Sequence, residues 1–317
     1  MTLKVLQSIK KPVSVKMMIH RRLAGWEKAR SHIVIHASDL MKDVEFCPRE
    51  MALLDMNLGK KKDSYIGTAL RITFDHGRSV ENLVRNDWLR DVAVGDWECG
   101  VCGSVHATFG KVPKVKCNCG YNRWVYKESR FMSEKNGASG GLDLILDVGE
   151  AKLRIIEIKT IDKDEFRKLV APLAEHKFRT SLYLRLVEES NSELAARINL
   201  QVSNILYVSK SYGFKDETLK ANGVPDTPFS PFKEYEVLRD DTMSETPLGK
   251  AEVLTAWRRD RTIGMPCGVC KNAMTARAAQ CPVAPACFSS NYPAKITWKE
   301  HGERKHEGKI FLEELTA

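Results

Sequence analysis

The stretch GGLDLILDVGEAKLRIIEIKT, residues 140–160, decides the fold. Two apolar runs flank the polar turn GEAK, which is the pattern of a hairpin or near-hairpin. Alternate side chains of a strand share a face, so Glu157 and Lys159 point one way while Ile156 and Ile158 point to the core. An acid and a base set in a run of isoleucine are costly to bury unless paired or metal-bound. If the strand carrying Asp143 pairs with this one, two carboxylates converge where a hard divalent cation can sit. Lys159 then stands beside them to orient a water or steady developing negative charge. This is a phosphodiester-hydrolysing site in outline; the plainer alternative is the solvated face of a half-exposed hairpin.

Outward from this stretch, IGTALRITFDHGRSVENLVRNDWLRDV (66–92) places Phe74, Val80, Val84 and Trp88 near helical spacing and predicts a helix. Downstream, residues 164–190 predict one or two helices broken or bent at Pro172. INLQVSNILYVSK (198–210) reads as a third strand, 213–235 as a loop, and 244–264 as a further helix. Helix, strand, strand, helix, strand gives an α/β core with a helix-rich periphery.

The chain has 317 residues, 43% hydrophobic and 29% charged, which excludes collagen, low-complexity disorder and a membrane-embedded protein. No run of about 18 apolar residues is present, and the first thirty residues lack the apolar block of a secretory signal, so a cytoplasmic protein is expected. Those thirty residues hold eight Lys/Arg against one acid, Glu27, and read as a basic arm, with an organellar transit peptide the alternative. A net charge of +9 points to a polyanionic partner, with nucleic acid the first candidate.

Asp143, a spacer, then Glu157-x-Lys159 on a strand resembles the core of PD-(D/E)xK nucleases. FDHGRSVENLVR resembles the helix that presents a metal ligand four positions after a glycine in the RecB-type branch; here Gly77 leads to Glu81 where that branch usually has His. His76 lies nearby, off register. EHKFRTSLYLRL is similar to the branch's Gln-x3-Tyr motif, with Tyr183 in place and Arg179 in the Gln slot. The resemblance implies a restriction-endonuclease-like α/β fold, a mixed sheet flanked by helices. It also implies one or two Mg²⁺ or Mn²⁺ ions on Glu81, Asp143, Glu157 and the Ile158 carbonyl, with Lys159 catalytic and Arg179 and Tyr183 placing the strand.

Nine cysteines in a chain without a secretory signal argue for metal rather than disulfides. Cys47, followed by Pro-Arg, and the late Cys267-x2-Cys270 resemble the iron-sulfur members of the same branch, among them the CRISPR-associated adaptation nucleases. In these, one early and three late cysteines hold a 4Fe-4S cluster. Cys281 and Cys287 follow Cys270 after ten and sixteen residues, longer than the usual spacing, and either completes the set. The rival is a four-cysteine zinc site of the late group alone. Cys99, Cys102, Cys117 and Cys119 have the look of a zinc ribbon or knuckle, in which His106 is an alternative to one thiolate. Lys114, Lys116, Arg123 and Trp124 are its candidate nucleic-acid contacts, basic residues interleaved with aromatics.

The expected organisation is a basic arm (1–45), an N-terminal helical part with the first cluster cysteine (46–96), a zinc-ribbon insertion (97–126), a nuclease core (127–262) and an iron-sulfur lid with tail (263–317). By resemblance the activity is exonucleolytic, on single-stranded DNA or duplex ends, in recombination, repair or phage DNA metabolism within a bacterial or phage-infected cell. The alternative is a non-catalytic nucleic-acid-binding subunit of a replication or transcription assembly.

Overall fold

A computed structural model describes residues 14–29, 33–41, 46–61, 63–211, 230–264, 270, 272–289 and 296–297. In chain order come α1 (Val15–Leu23), β1 (Gly25–Glu27), β2 (Ile35–His36), α2 (Ala37–Leu40), α3 (Pro48–Asp55), β3 (Ser64–Ile66) and α4 (Thr68–Leu83). The last runs on as a π-helical turn over Val84–Trp88. The strand-rich middle comprises β4 (Gly95–Cys99), β5 (Val105–Gly110), β6 (Trp124–Lys127), β7 (Ser129–Ser133), β8 (Ala138–Leu142), β9 (Leu144–Leu146) and β10 (Leu153–Ile161). Then follow α5 (Lys163–Lys168), α6 (Ala174–Glu189), α7 (Glu193–Arg197), β11 (Ile198–Ser209) and β12 (Phe232–Leu238). α8 (Asp241–Asp260), β13 (Thr262–Ile263), α9 (Ala276–Gln280), α10 (Ala284–Cys287) and β14 (Ile296–Thr297) complete the order.

The result is a mixed α/β fold of several sheets flanked by helices. Its central sheet has the order β12-β11-β10-β9. β10 and β11 run parallel, as a connection through three helices allows, whereas β9 and β12 flank them antiparallel. The predicted hairpin is therefore β9 and β10, paired from Arg154↔Leu146 to Ile156↔Leu144. β10 is an inner strand rather than half of an exposed ribbon: Ile155 and Ile158 are fully buried and Glu157 is 1% exposed. The solvated-face alternative thus fails for Glu157, which lies inside the molecule.

Between β8 and β9 the strand breaks at Asp143 and the chain passes from the sheet β2-β8-β7 into the central one. The Asp143 Oδ2 accepts the Ile158 N–H at 2.9 Å, so a side chain takes over the ladder where strand pairing stops. α6 packs behind with Leu182, Leu184, Leu186 and Val187 in the main core. Close approach is possible because Gly140 of β8 has no side chain; a Cβ there would lie 2.7 Å from the Tyr183 ring.

Two expectations change. The loop expected over 213–235 ends before Phe232, where β12 pairs with β11; residues 212–229 lie outside the described ones. FKEYEVL alternates as an edge strand does, a signal masked by the polar run before it. The supposed stripe on α4 is not a core face: Phe74 and Trp88 are 43% and 51% exposed, α4 has no fully buried residue, and its C-terminal half turns inward Gly77, Val80 and Glu81, with fully buried Val84 just beyond. Of the basic arm, residues 1–13 lie outside the described ones, and α1 buries no residue. Among the described residues no helix is long and apolar enough to cross a membrane.

Candidate active site and metal centres

The central strand and α4 build the site. Gly77 sits where α4 crosses the end of β10, and a Cβ there would lie 3.3 Å from Thr160 Oγ1. That approach brings Glu81, one turn further on, to the strand. His76 is exposed. Lys159 Nζ lies 2.5 Å from Glu157 Oε1 and 3.8 Å from Asp143 Oδ2, and it donates to the Ile158 carbonyl at 3.1 Å. Asp143, Glu157, Lys159 and the Ile158 carbonyl are thus brought together as the strand alternation implies.

Two residues escaped the sequence reading. Carboxylate oxygens of Glu81, Glu128 and Asp143 cluster within 4.8 Å of one another, a group able to hold a metal ion. Arg85, buried in the π-helical turn, spans all three: 2.7 Å to Glu128 Oε1, 3.1 Å to Glu81 Oε2 and 3.5 Å to Asp143 Oδ1. Arg85 was legible as the next step of the Gly77, Glu81, Arg85 stripe at four-residue spacing. Glu128 carries no local signal, since it enters from the strand that leaves the cysteine ribbon.

Electrostatics mark this spot. Burial, then repulsion from Asp143, pushes the Glu157 carboxyl up to about 7, against the pull of Lys159 and Arg179. Burial lowers the Lys159 pKa, yet Glu157 and Asp143 outweigh it and hold the ammonium above its ordinary value. Glu81 is raised by burial and by Asp143. Glu157 Oε2 is buried without a hydrogen-bond partner, a cost that a cation would relieve.

Arg179 Nη1 donates to Glu157 Oε1 at 3.2 Å, and its Nε is left without a partner. Tyr183 is 7% exposed with its ring against Gly140, and the pKa of its hydroxyl is raised by burial and by the nearby Glu157, so it packs beside the site carboxylates. His176, one turn before Arg179, is held down to about 4 by burial and by the nearby Lys159 and Arg179 cations, and its Nδ1 lies 2.7 Å from Tyr207 Oη.

The cysteines form two further centres. Cys99, Cys102, Cys117 and Cys119 bring their sulfurs within 4.8 Å of one another. Hydrogen bonds from Ser104 hold the Cys102 thiol down to about 6. Lys114, Lys116 and Arg123 are exposed on this ribbon. Trp124 is the exception: it is 4% exposed, and its Nε1 donates to the Val115 carbonyl at 2.9 Å, because a module this small needs the indole as core. Elsewhere Cys47, Cys270, Cys281 and Cys287 line one small cavity with Glu50 and Arg277. Both Cys281 and Cys287 reach it; Cys267 lies outside the described residues. Burial raises the Cys281 thiol to about 11.

No family model and no curated protein matches the chain. Among solved structures, the crystal structure of SSO0001 matches with a TM-score of 0.32 and 17% identity over 72% of this chain and 78% of that one. The exonuclease LHK-Exo in complex with dAMP matches with a TM-score of 0.32 and 12% identity over 71% of this chain and 87% of that one. At such TM-scores these likenesses carry no functional argument.

Proposed function

We propose that the chain is a metal-dependent deoxyribonuclease of the PD-(D/E)xK type, with a RecB-like, exonucleolytic action on single-stranded DNA or duplex ends. The observation that carries this reading is the meeting of Asp143, at the break between β8 and β9, with Glu157 and Lys159 of the inner strand β10, with a buried, partnerless Glu157 oxygen among them. A solvated salt bridge has no need of that arrangement; a cation seat does. Glu81, Asp143, Glu157 and the Ile158 carbonyl would hold Mg²⁺ or Mn²⁺. When bound, such an ion supplies charge neutralisation at the phosphoryl group and acidifies water.

The chain's own residues do the rest. Lys159, kept charged by its two carboxylate neighbours, is placed to orient a water and to meet negative charge as it develops. Asp143 fixes the strand by accepting the Ile158 N–H. Arg179 steadies Glu157 by donating Nη1 to its Oε1, and its half-exposed guanidinium would meet a phosphate of the strand. The domain limits set out above, a 4Fe-4S cluster on Cys47, Cys270 and two of Cys267, Cys281 and Cys287, zinc on the ribbon, and a place in recombination, repair or phage DNA metabolism belong to this same reading.

One observation favours a non-catalytic, nucleic-acid-binding role: the Arg85 guanidinium already answers Glu81, Glu128 and Asp143, as a divalent ion would. Cleavage of end-labelled single-stranded and duplex DNA by protein purified without oxygen, with Mn²⁺ or Mg²⁺, separates the two. Cutting by the wild type and a loss of about 100-fold or more in Lys159→Ala supports the nuclease. Binding without cutting, or equal cutting by both, sinks it.

A further inference from the structure

The cysteine ribbon reaches into the acidic site. We propose that a zinc ion on Cys99, Cys102, Cys117 and Cys119 is a positioning device that holds Glu128 and Arg85 in place, not only the staple of a separate nucleic-acid-binding module. The nuclease reading enters only through the expected effect on divalent-ion binding; the mechanical link stands without it.

The donor set fits zinc. Four sulfurs about 2.3 Å from a tetrahedral ion lie about 3.8 Å apart. Cys99 Sγ is 3.6 Å from Cys119 Sγ, and Cys102 Sγ is 3.5 Å from Cys117 Sγ. Each cysteine pair is followed by a glycine with positive φ, Gly103 at 74° and Gly120 at 89°, which lets the two loops curl around one point.

The other end of the same sheet is built into the site. Trp97, Cys99, Cys117, Trp124 and Tyr126 share one buried cluster with Val84 beside Arg85 and with Leu144, Ile156 and Ile158 of the catalytic strands. β6 is gripped by the π-helical turn and the residues after it: Tyr126 N–H donates to Asn86 Oδ1 at 2.7 Å, and Arg90 Nη1 donates to the Trp124 carbonyl at 2.9 Å. Tyr126 Oη in turn donates to the Val94 carbonyl and accepts the Ile145 N–H, both at 3.3 Å. Glu128 is two residues past Tyr126, and its partner Arg85 precedes Asn86. The zinc loops therefore fix β6, and β6 fixes both members of the Arg85–Glu128 pair.

The test uses the full chain, with zinc measured by mass spectrometry and hydrogen exchange followed before and after zinc is stripped, alongside Cys119→Ser. Loss of zinc is expected to speed exchange by about tenfold or more over 84–90 and 124–130 while 46–55 and 248–263, in the other core, stay protected. Mn²⁺ affinity, read by electron paramagnetic resonance, is expected to fall by about tenfold, with Glu128→Gln giving a similar loss while zinc stays bound. Wild type that binds no zinc, faster exchange confined to 99–123, or equal loss of protection throughout each overturns the proposal. Wild type that binds no Mn²⁺ and cuts no DNA counts against the nuclease reading alone, because the exchange pattern still decides the link.

Discussion

Glu157 is the residue on which the site turns, and its burial has a consequence for stability. A carboxyl raised from 4.5 to about 7 favours the folded state in its protonated form. Its contribution is therefore full below about pH 4.5 and is lost as pH rises through 7. His176 acts in the opposite sense: its pKa, lowered from 6.5 to about 4, stabilises above 6.5 and ceases to as pH falls through 4. The wild-type curve mixes the two, so the informative quantity is the difference in melting temperature between wild type and Glu157→Gln. That difference is expected to shift in favour of the variant as pH climbs from 4.5 to 7, and Mg²⁺ is expected to cancel it by holding the ionised carboxylate. Arg85 makes a second case. Arg85→Met strands Glu81, Glu128 and Asp143 together, so the metal-free protein should lose about 3 kcal/mol or more in urea titrations and recover most of it with Mn²⁺. No recovery would mean that the carboxylates do not form a cation seat. Asp143, Glu157 and Lys159 were legible because strand alternation is local. Glu128 was not, since only the three-dimensional course of β6 brings it there.

Elements meet here through missing side chains. Gly77 brings α4 against Thr160 and Gly140 brings β8 against Tyr183. The two differ in tightness, and their substitutions should part accordingly. Gly140→Ala drives a methyl into the Tyr183 ring at 2.7 Å and should cost about 1–3 kcal/mol in urea unfolding. Gly77→Ala gains up to about 1 kcal/mol of helix propensity and meets only a hydroxyl at 3.3 Å, so folding should be nearly unchanged. Its effect should fall on cleavage, by displacing Glu81. A Gly77→Ala protein as active as wild type would remove Glu81 from the metal site. The helix and strands of the site were readable from periodicity and turn residues. β12 was not, because the alternation of this seven-residue edge strand is masked by the polar, Pro- and Gly-bearing segment before it.

At the scale of the molecule, the early and late parts of the chain meet over the cavity lined by Cys47, Cys270, Cys281 and Cys287. Closing so long a loop is entropically costly, and a metal cluster there would cut that cost by constraining the unfolded chain. The closure also has supports that need no metal: Arg258 grips Asp55 at 2.7 Å, Arg277 meets Glu50 at 3.2 Å, and Arg49 donates to the Gly264 carbonyl. These bonds divide the labour. The Arg258 and Arg49 contacts hold α8 and its end to α3, whereas the segment 272–289 is held by Arg277, by Val283 in the main core and by the cysteine-lined cavity. Stripping any metal these cysteines hold, or making Cys281→Ala, should therefore expose 272–289 to trypsin at Arg277 while leaving 63–211 intact. Gly59→Val supplies a control that leaves every thiol in place. A Cβ at Gly59 would lie 2.6 Å from the Pro282 carbonyl, so the substitution should loosen the same segment with its cysteines unaltered. If trypsin cuts Gly59→Val at Arg277 but spares Cys281→Ala and metal-stripped wild type, packing rather than the cysteines closes the lid.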